Sequence, residues 1–177
     1  MYDYGKIIEL KSKYTCLHCQ DEDFYREYVT LERVKPSVVY ELGVGSGEWI
    51  IAMEECLSYS PKWIGVENFS SAWFEQDYYG RLPKNPEELM MKINLHNFTH
   101  YYTCWEPILQ HKIPAHGCRI DMNLRMQQHY DIITDHCEVL FIDDVYKPDY
   151  QFRLDMALNS DMRVLWNGRD EACLVRD

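Results

Sequence analysis

A doubly wound α/β domain, with a mostly parallel sheet and helices on both faces, is what the sequence predicts. Three observations carry this. The β-prone run Val38-Val-Tyr-Glu-Leu42 leads into three alternating glycines, Gly43, Gly45 and Gly47, and then into a helical pattern. A second short apolar run, Lys62-Trp-Ile-Gly-Val66, follows that helix and ends on Glu67. Strand, helix and strand joined this way must pair in parallel, because the crossover is helical. Beyond them, strand-like and helix-like segments keep alternating, the pattern of a sheet covered on both sides.

The elements are justified in chain order. Phe24, Tyr28, Leu31 and Val34 recur at helical spacing behind the acidic start Asp21-Glu-Asp23, and Pro36 closes the segment, so residues 1–36 read as an N-terminal helical extension. Trp49, Ile50, Met53 and Leu57 mark the face of the helix after the glycines, which ends before Pro61. Helices are expected over 70–79 and from Asn85, an N-cap followed by Pro86 at the first helical position and two glutamates in the first turn. The segment 97–104 is expected as the third strand, 123–136 as a helix and 138–143 as the fourth strand. A helix over 149–158 and a fifth strand over 162–166 follow.

Bulk properties narrow the function. The 177 residues suit one domain, 1–177, with 46% hydrophobic residues and no repeat or linker dividing it. Asp and Glu number 29 against 18 Lys and Arg, a net charge of −11. Sequence-independent binding to nucleic acid needs a basic surface, so a small-molecule partner is favoured over nucleic acid. No apolar run is long enough to span a bilayer and no cleavable leader is seen, so no membrane association is expected. Seven scattered cysteines, an odd number, fit reduced thiols in the cytoplasm.

The glycine turn narrows it further. A dinucleotide fingerprint, G-x-G-x-x-G, would need glycine at position 48, which is Glu48, and no Gly-Lys-Ser/Thr completes a P-loop. A carboxylate there is a poor neighbour for a pyrophosphate. Glu41-Leu-Gly43-Val-Gly45-Ser-Gly47 resembles instead the first motif of class I S-adenosylmethionine-dependent methyltransferases, an acid followed by G-x-G-x-G on a Rossmann-like fold. The resemblance implies S-adenosylmethionine as cofactor, bound by Glu41, Gly43, Gly45 and Gly47, with Glu67 as the acid that accepts from the ribose hydroxyls. The chemistry agrees, since the cofactor carries an ammonium and a sulfonium that a nearby carboxylate favours. Taken singly, Glu67 and Glu41 also look like solvated strand-end acids; the joint pattern favours a site.

The resemblance places adenine near Thr103-Cys104-Trp105-Glu106, so Cys104 and Trp105 are expected to line the cofactor pocket, where the family more often has an acid or amide. It places acceptor-binding or catalytic residues after the fourth strand, which makes Asp143 the expected catalytic or acceptor-orienting carboxylate. Phe141-Ile-Asp143 with Lys147 is similar to a degraded tRNA guanine-N7 methyltransferase motif. Phe141-Ile-Asp143 with Leu165-Trp166-Asn167-Gly168 is similar to cation-dependent O-methyltransferases, although Met162-Arg163 stands where their metal-binding Asp-Asn pair would be. No metal site is expected: Cys16-Leu-His18-Cys19 has no second half-site, and His96, His100 and Cys104 fit core or surface roles better. The family fold usually continues further past its fifth strand, so the C-terminal strands are expected to be shortened, with Glu171–Val175 supplying one strand through a hairpin at Asn167-Gly168. Methyl transfer to a small-molecule or unidentified acceptor is the implied function, with an RNA methyltransferase and a non-catalytic cofactor-binding or protein-interaction relative as the alternatives.

Overall fold

The computed structural model describes residues 3–15, 17, 19–69, 82–102, 117–122 and 124–176. Two helices, α1 (Tyr4–Lys11) and α2 (Asp21–Val34), precede strand β1 (Val38–Leu42). Then come α3 (Glu48–Cys56), β2 (Lys62–Val66), α4 (Pro86–Ile93), β3 (Phe98–Tyr101), β4 (Gly117–Ile120), α5 (Gln127–His136) and β5 (Val139–Asp143). A short 3-10 turn at Pro148–Tyr150 leads into α6 (Phe152–Leu158), β6 (Met162–Asn167) and β7 (Glu171–Arg176). Among the described residues the strands form one sheet in the order β3-β2-β1-β4-β5-β7-β6. The first five strands of that order pair in parallel, and β7 runs antiparallel to both β5 and β6.

Side chains on successive strand residues point to opposite faces, so each central strand serves two cores. Tyr40, Leu42, Ile64, Ile120, Leu140 and Ile142 pack with Tyr130 and Ile133 of α5 on one face. Val39, Trp63, Val139, Phe141 and Cys173 pack with Phe24 and Leu31 of α2 and Trp49, Ile50 and Met53 of α3 on the other. Helix α4 starts as its sequence predicts: the Asn85 side chain accepts from Glu88 N at 2.9 Å, with Pro86 in the first turn.

Apart from residues 70–79, the expected strands and helices over the first half are present, as are the helices and strands between 127 and 167, and the hairpin at Asn167-Gly168. Three expectations change. Gly117–Ile120, assigned to no element from sequence, is a strand inserted between β1 and β5, so the run ending at Asp143 is the fifth strand rather than the fourth. The third strand is shorter than expected, and the helix proposed over 70–79 lies outside the described residues. The C-terminal strands are not shortened. Residues 162–176 complete a seven-stranded sheet because β7 slots between β5 and β6, bonding along five residue pairs with β5.

The hairpin is locked by α2. Asp23 is buried and accepts from Asp170 N at 3.0 Å and Arg169 N at 3.4 Å, and a Cβ on Gly168 would run into its carboxylate. Trp166 packs on Phe141 and donates its indole N–H to Thr30 Oγ1 at 3.2 Å. Asp23→Ala is therefore expected to strand two backbone N–H groups and cost about 1–3 kcal/mol. Urea denaturation checks this, and an unchanged midpoint would contradict it.

Candidate functional site

The order of the sheet reverses between β1 and β4, and ligands of such sheets bind in the crevice outside the carboxyl ends of the strands at that point. Here Asp121 N donates to Leu42 O at 2.8 Å, and the chain then diverges into the glycine turn on one side and residues 121–126 on the other. Gly43, Gly45 and Gly47 have φ of 94°, 55° and 76°, all in the left-handed region that favours glycine. A Cβ on Gly43 would collide with the backbone carbonyl of Asp121, and one on Gly47 would lie 2.8 Å from Ile93. Alternating glycines are thus what brings β1 and α3 around a tight turn while keeping the crevice wall bare. Gly47 N donates to Val44 O at 2.9 Å and closes the turn, and Glu48 opens α3 immediately afterwards.

Glu67 leaves the end of β2 and folds back over this turn. One carboxylate oxygen accepts from Gly45 N at 3.1 Å; the other accepts from Asn68 N at 2.9 Å and Phe69 N at 3.2 Å. These N–H bonds fix the carboxylate at the crevice mouth. His100 of β3 meets the Glu67 carbonyl oxygen through Nε2 at 2.8 Å. Phe69, held at φ 58°, packs near His100 and the exposed Tyr102 with ring centroids 5.4 and 6.5 Å away. An aromatic wall therefore stands beside the acid. Sequence reading weighed His100 only as a metal ligand against core or surface, and it missed Phe69. Cys104 and Trp105 lie outside the described residues.

Glu41 and Asp143 do not stand apart as two separate stations. Both reach Arg119, a 3% exposed arginine in the middle of β4. Its Nη1 lies 3.3 Å from Glu41 and 3.3 Å from Asp121, and its Nη2 lies 2.8 Å from Asp143. Nε lies 3.1 Å from Glu27 of α2 and 3.5 Å from Glu171 of β7. The guanidinium also sits over the Trp49 ring, 5.3 Å from its centroid, and the Trp49 indole donates to Glu27 at 2.9 Å. One cation is thus shared among five carboxylates. Arg119, Asp121, Glu27 and Glu171 were not recognisable as site residues from sequence.

Burial first, and then the other acids, sets the proton affinity of this group. Glu41 is held well above the usual carboxylate range by burial, against the pull of Arg119. Glu171 is also raised well above that range, by burial and by the charge on Glu27, and the two carboxyls share a hydrogen bond. Asp121, whose side chain is 40% exposed at the crevice yet largely surrounded by protein, is pushed up to about 7 by burial and by Asp143. Asp143 itself has both oxygens engaged, one by Arg119 and the other by Asp144 N at 2.7 Å. Asp121 is the carboxylate with a pKa near neutrality and an accessible face, the combination that suits a general base.

These shifts make stability depend on pH. An acid with a higher pKa in the folded chain binds more protons there than when unfolded, so folding weakens as pH rises through the interval between the two values. For Asp121 that interval runs from the ordinary 3.8 to about 7, and Glu41 and Glu171 act in the same direction. Thermal unfolding is expected to give a higher Tm at pH 6 than at pH 8. A Tm that climbs from pH 6 to pH 8 would contradict the cluster's reading.

The other expected features fall as follows. Among the described residues no three His, Cys, Asp or Glu are grouped to hold a metal ion, and the carboxylates nearest one another are occupied by Arg119. Lys147 pairs with Asp144 at 2.7 Å. Leu165-Trp166 lies on β6, separated from Asp143 by β7, so the two halves of the O-methyltransferase resemblance are not side by side. Cys19 is buried, its thiol pushed up by that burial, while Cys16 and His18 lie outside the described residues. No described helix is long and apolar enough to cross a membrane.

No family model matches this sequence, and no curated protein matches it significantly. Solved structures do. The fold is that of class I S-adenosylmethionine-dependent methyltransferases. The O-methyltransferase TomG from Streptomyces achromogenes, involved in tomaymycin synthesis and solved with S-adenosylmethionine, superposes with a TM-score of 0.59 at 13% identity, covering 98% of this chain and 89% of its own. An O-methyltransferase from Bacillus cereus in complex with S-adenosylhomocysteine gives 0.60 at 11% identity over 98% and 90%. Precorrin-6y C5,15-methyltransferase from Geobacter metallireducens gives 0.58 at 12% identity over 91% and 89%. These likenesses establish the fold, shared by proteins whose names differ in the atom they methylate.

Proposed function

We propose that the chain binds S-adenosylmethionine at the glycine turn and transfers its methyl group to a small-molecule acceptor in the cytoplasm. One observation carries the cofactor assignment. Glu41 Oε2 is buried, has no hydrogen-bond partner among the described residues, and stands near the end of β1 beside a turn where even a Cβ on Gly43 has no room. A buried carboxylate oxygen without a donor is costly unless a ligand supplies one. The ammonium end of the cofactor has the right charge and donors for Glu41. Glu67, fixed by backbone N–H groups, retains lone pairs for the ribose hydroxyls, and Phe69 offers a ring to the base.

When bound, the cofactor supplies an electrophilic methyl on a cationic sulfur. The protein's part is to hold the acceptor in line and remove its proton. Asp121 is proposed as the base and Asp143, clamped by Arg119, as the carboxylate that orients the acceptor. The excess of acids over bases in the sequence, and neighbours whose names point to small-molecule chemistry, support a small acceptor over RNA.

Incubation with methyl-labelled S-adenosylmethionine and separate pools of small molecules and RNA tests the reading. Label in a small-molecule product is expected, and Asp121→Asn should reduce its rate about 10²–10⁴-fold while leaving cofactor binding within a few-fold. Label in RNA alone would overturn the acceptor class, and cofactor binding without transfer to either pool would point to a non-catalytic relative.

A further inference from the structure

We infer that the buried acid cluster around Arg119 stores a proton in the free protein, shared between Glu27 and Glu171, and expels it to solvent when a cationic ligand reaches Glu41. The inference rests on the proposed cofactor site and goes beyond it, because Glu27 and Glu171 lie on α2 and β7, outside the glycine turn.

The geometry sets the requirement. Glu27, Glu41 and Glu171 are 0%, 2% and 1% exposed, and each lies within 3.5 Å of a guanidinium nitrogen. Asp143 and Asp121 take the remaining edges of the same group. Among the described residues, other charges facing the cluster do not make up the deficit. Glu67 adds to the negative field at Glu41, Lys147 is committed to Asp144, and Arg153 donates to the Asp143 carbonyl at 3.0 Å. Asp23 of α2 is occupied by the hairpin N–H groups, and the Lys11 ammonium by Cys19 O and Asp21. Three carboxylates with almost no water cannot all be ionised against one arginine.

Among the described residues neither Glu171 oxygen has a conventional donor, yet it adjoins Glu27, whose oxygens accept from Arg119 and Trp49. A proton on Glu171 shared with Glu27 satisfies both. Glu41, one guanidinium away, keeps its open oxygen for a ligand. A cation arriving there lowers the proton affinity of the whole coupled group, and the least well solvated proton, the shared one, leaves. Atoms balance simply: ligand cation in, one proton out to buffer. Glu27 and Glu171 are thus positioning residues acting through Arg119 and Glu41, and they select for a positively charged ligand.

Calorimetric titration in buffers of different ionisation enthalpy counts the proton. With S-adenosylmethionine at pH 7, release of about one proton per cofactor is expected, and affinity should rise with pH over the same range. Adenosine, which lacks the cationic portion, should bind without release. Glu171→Gln should still bind the cofactor but release under half as much; Glu27→Gln serves equally if that variant does not fold. Cofactor binding with no proton exchange in the unaltered protein would overturn the inference and leave the cofactor assignment standing. Equal release with adenosine, or undiminished release in both variants, would also overturn it. Absence of any binding heat from either ligand would instead overturn the proposed function.

Discussion

Arg119→Met is expected to be the most damaging single substitution in the molecule, lowering stability by about 3–5 kcal/mol at pH 8. The side chain is of similar length and apolar, so packing against Trp49 is largely kept. What is lost is the one positive charge among Glu27, Glu41, Asp121, Asp143 and Glu171. Native domains have only about 5–15 kcal/mol in total, so this loss removes a large share of the margin. The remaining acids relieve part of the cost by taking up protons. The deficit should therefore shrink at pH 5.5, where protons are plentiful. Chemical denaturation at the two pH values checks both statements; a loss under 1 kcal/mol at pH 8, or a larger loss at pH 5.5, would contradict them. Arg119→Lys should recover part of the stability, since it restores charge without the fork that reaches three edges.

Gly43→Ala is the second large effect, and it acts on the ligand site more than on the core. At φ 94° an alanine is strained on conformational grounds alone, by about 1–2 kcal/mol. Its methyl would also overlap the Asp121 carbonyl, which is backbone and has no rotamer to swing away. Relief must come from parting β1 and β4 at the crevice, where Asp121 N bonds Leu42 O. Cofactor affinity is expected to fall by at least about tenfold, equivalent to 1.4 kcal/mol. Gly5→Ala is the control: that glycine sits in α1, where an added Cβ meets only Asp3 Oδ1 at 3.5 Å. Calorimetry on the two variants should separate them clearly, and equal affinities would contradict the crevice's role.

The first half of the candidate site is legible because its signals are local: Glu41, the glycines and Glu67 lie within one strand-helix-strand unit. The positive φ of Gly43, Gly45 and Gly47 favours glycine there; a Cβ would also collide with the Asp121 carbonyl at Gly43 and meet Ile93 at 2.8 Å at Gly47. The second half was hidden for a physical reason. Strand β4 is four residues long and has an arginine at its centre, which breaks the apolar run that marks a buried parallel strand. That arginine is tolerated inside because of its acids, of which the fully buried ones are far away in sequence, Glu27 being 92 positions distant and Glu41 78.

The missed strand shifted everything after it. With 117–120 unassigned, the run ending at Asp143 reads as the fourth strand; its pairing with Leu165-Trp166 rests on the O-methyltransferase resemblance. In the fold β7 separates them, and Trp166 serves the contact between β6 and α2. Asp143, the expected catalytic or acceptor-orienting carboxylate, differs from Asp121 in its contacts. Its carboxylate is held by Arg119 and Asp144, whereas Asp121, at the end of the unrecognised strand, offers the accessible one. The C-terminal hairpin was legible at its turn, Asn167-Gly168, but not its insertion beside β5, because strand order is a tertiary property.

Titration of the purified protein with S-adenosylmethionine at pH 7.5 and low salt, followed by calorimetry, tests the central claim most directly. Binding at one site per chain with a Kd of about 1–100 μM is predicted, which corresponds to about 5–8 kcal/mol. Glu67→Ala should weaken that binding by about tenfold or more, since it removes the acid assigned to the ribose. No heat of binding at millimolar cofactor, with the protein folded, would contradict the account.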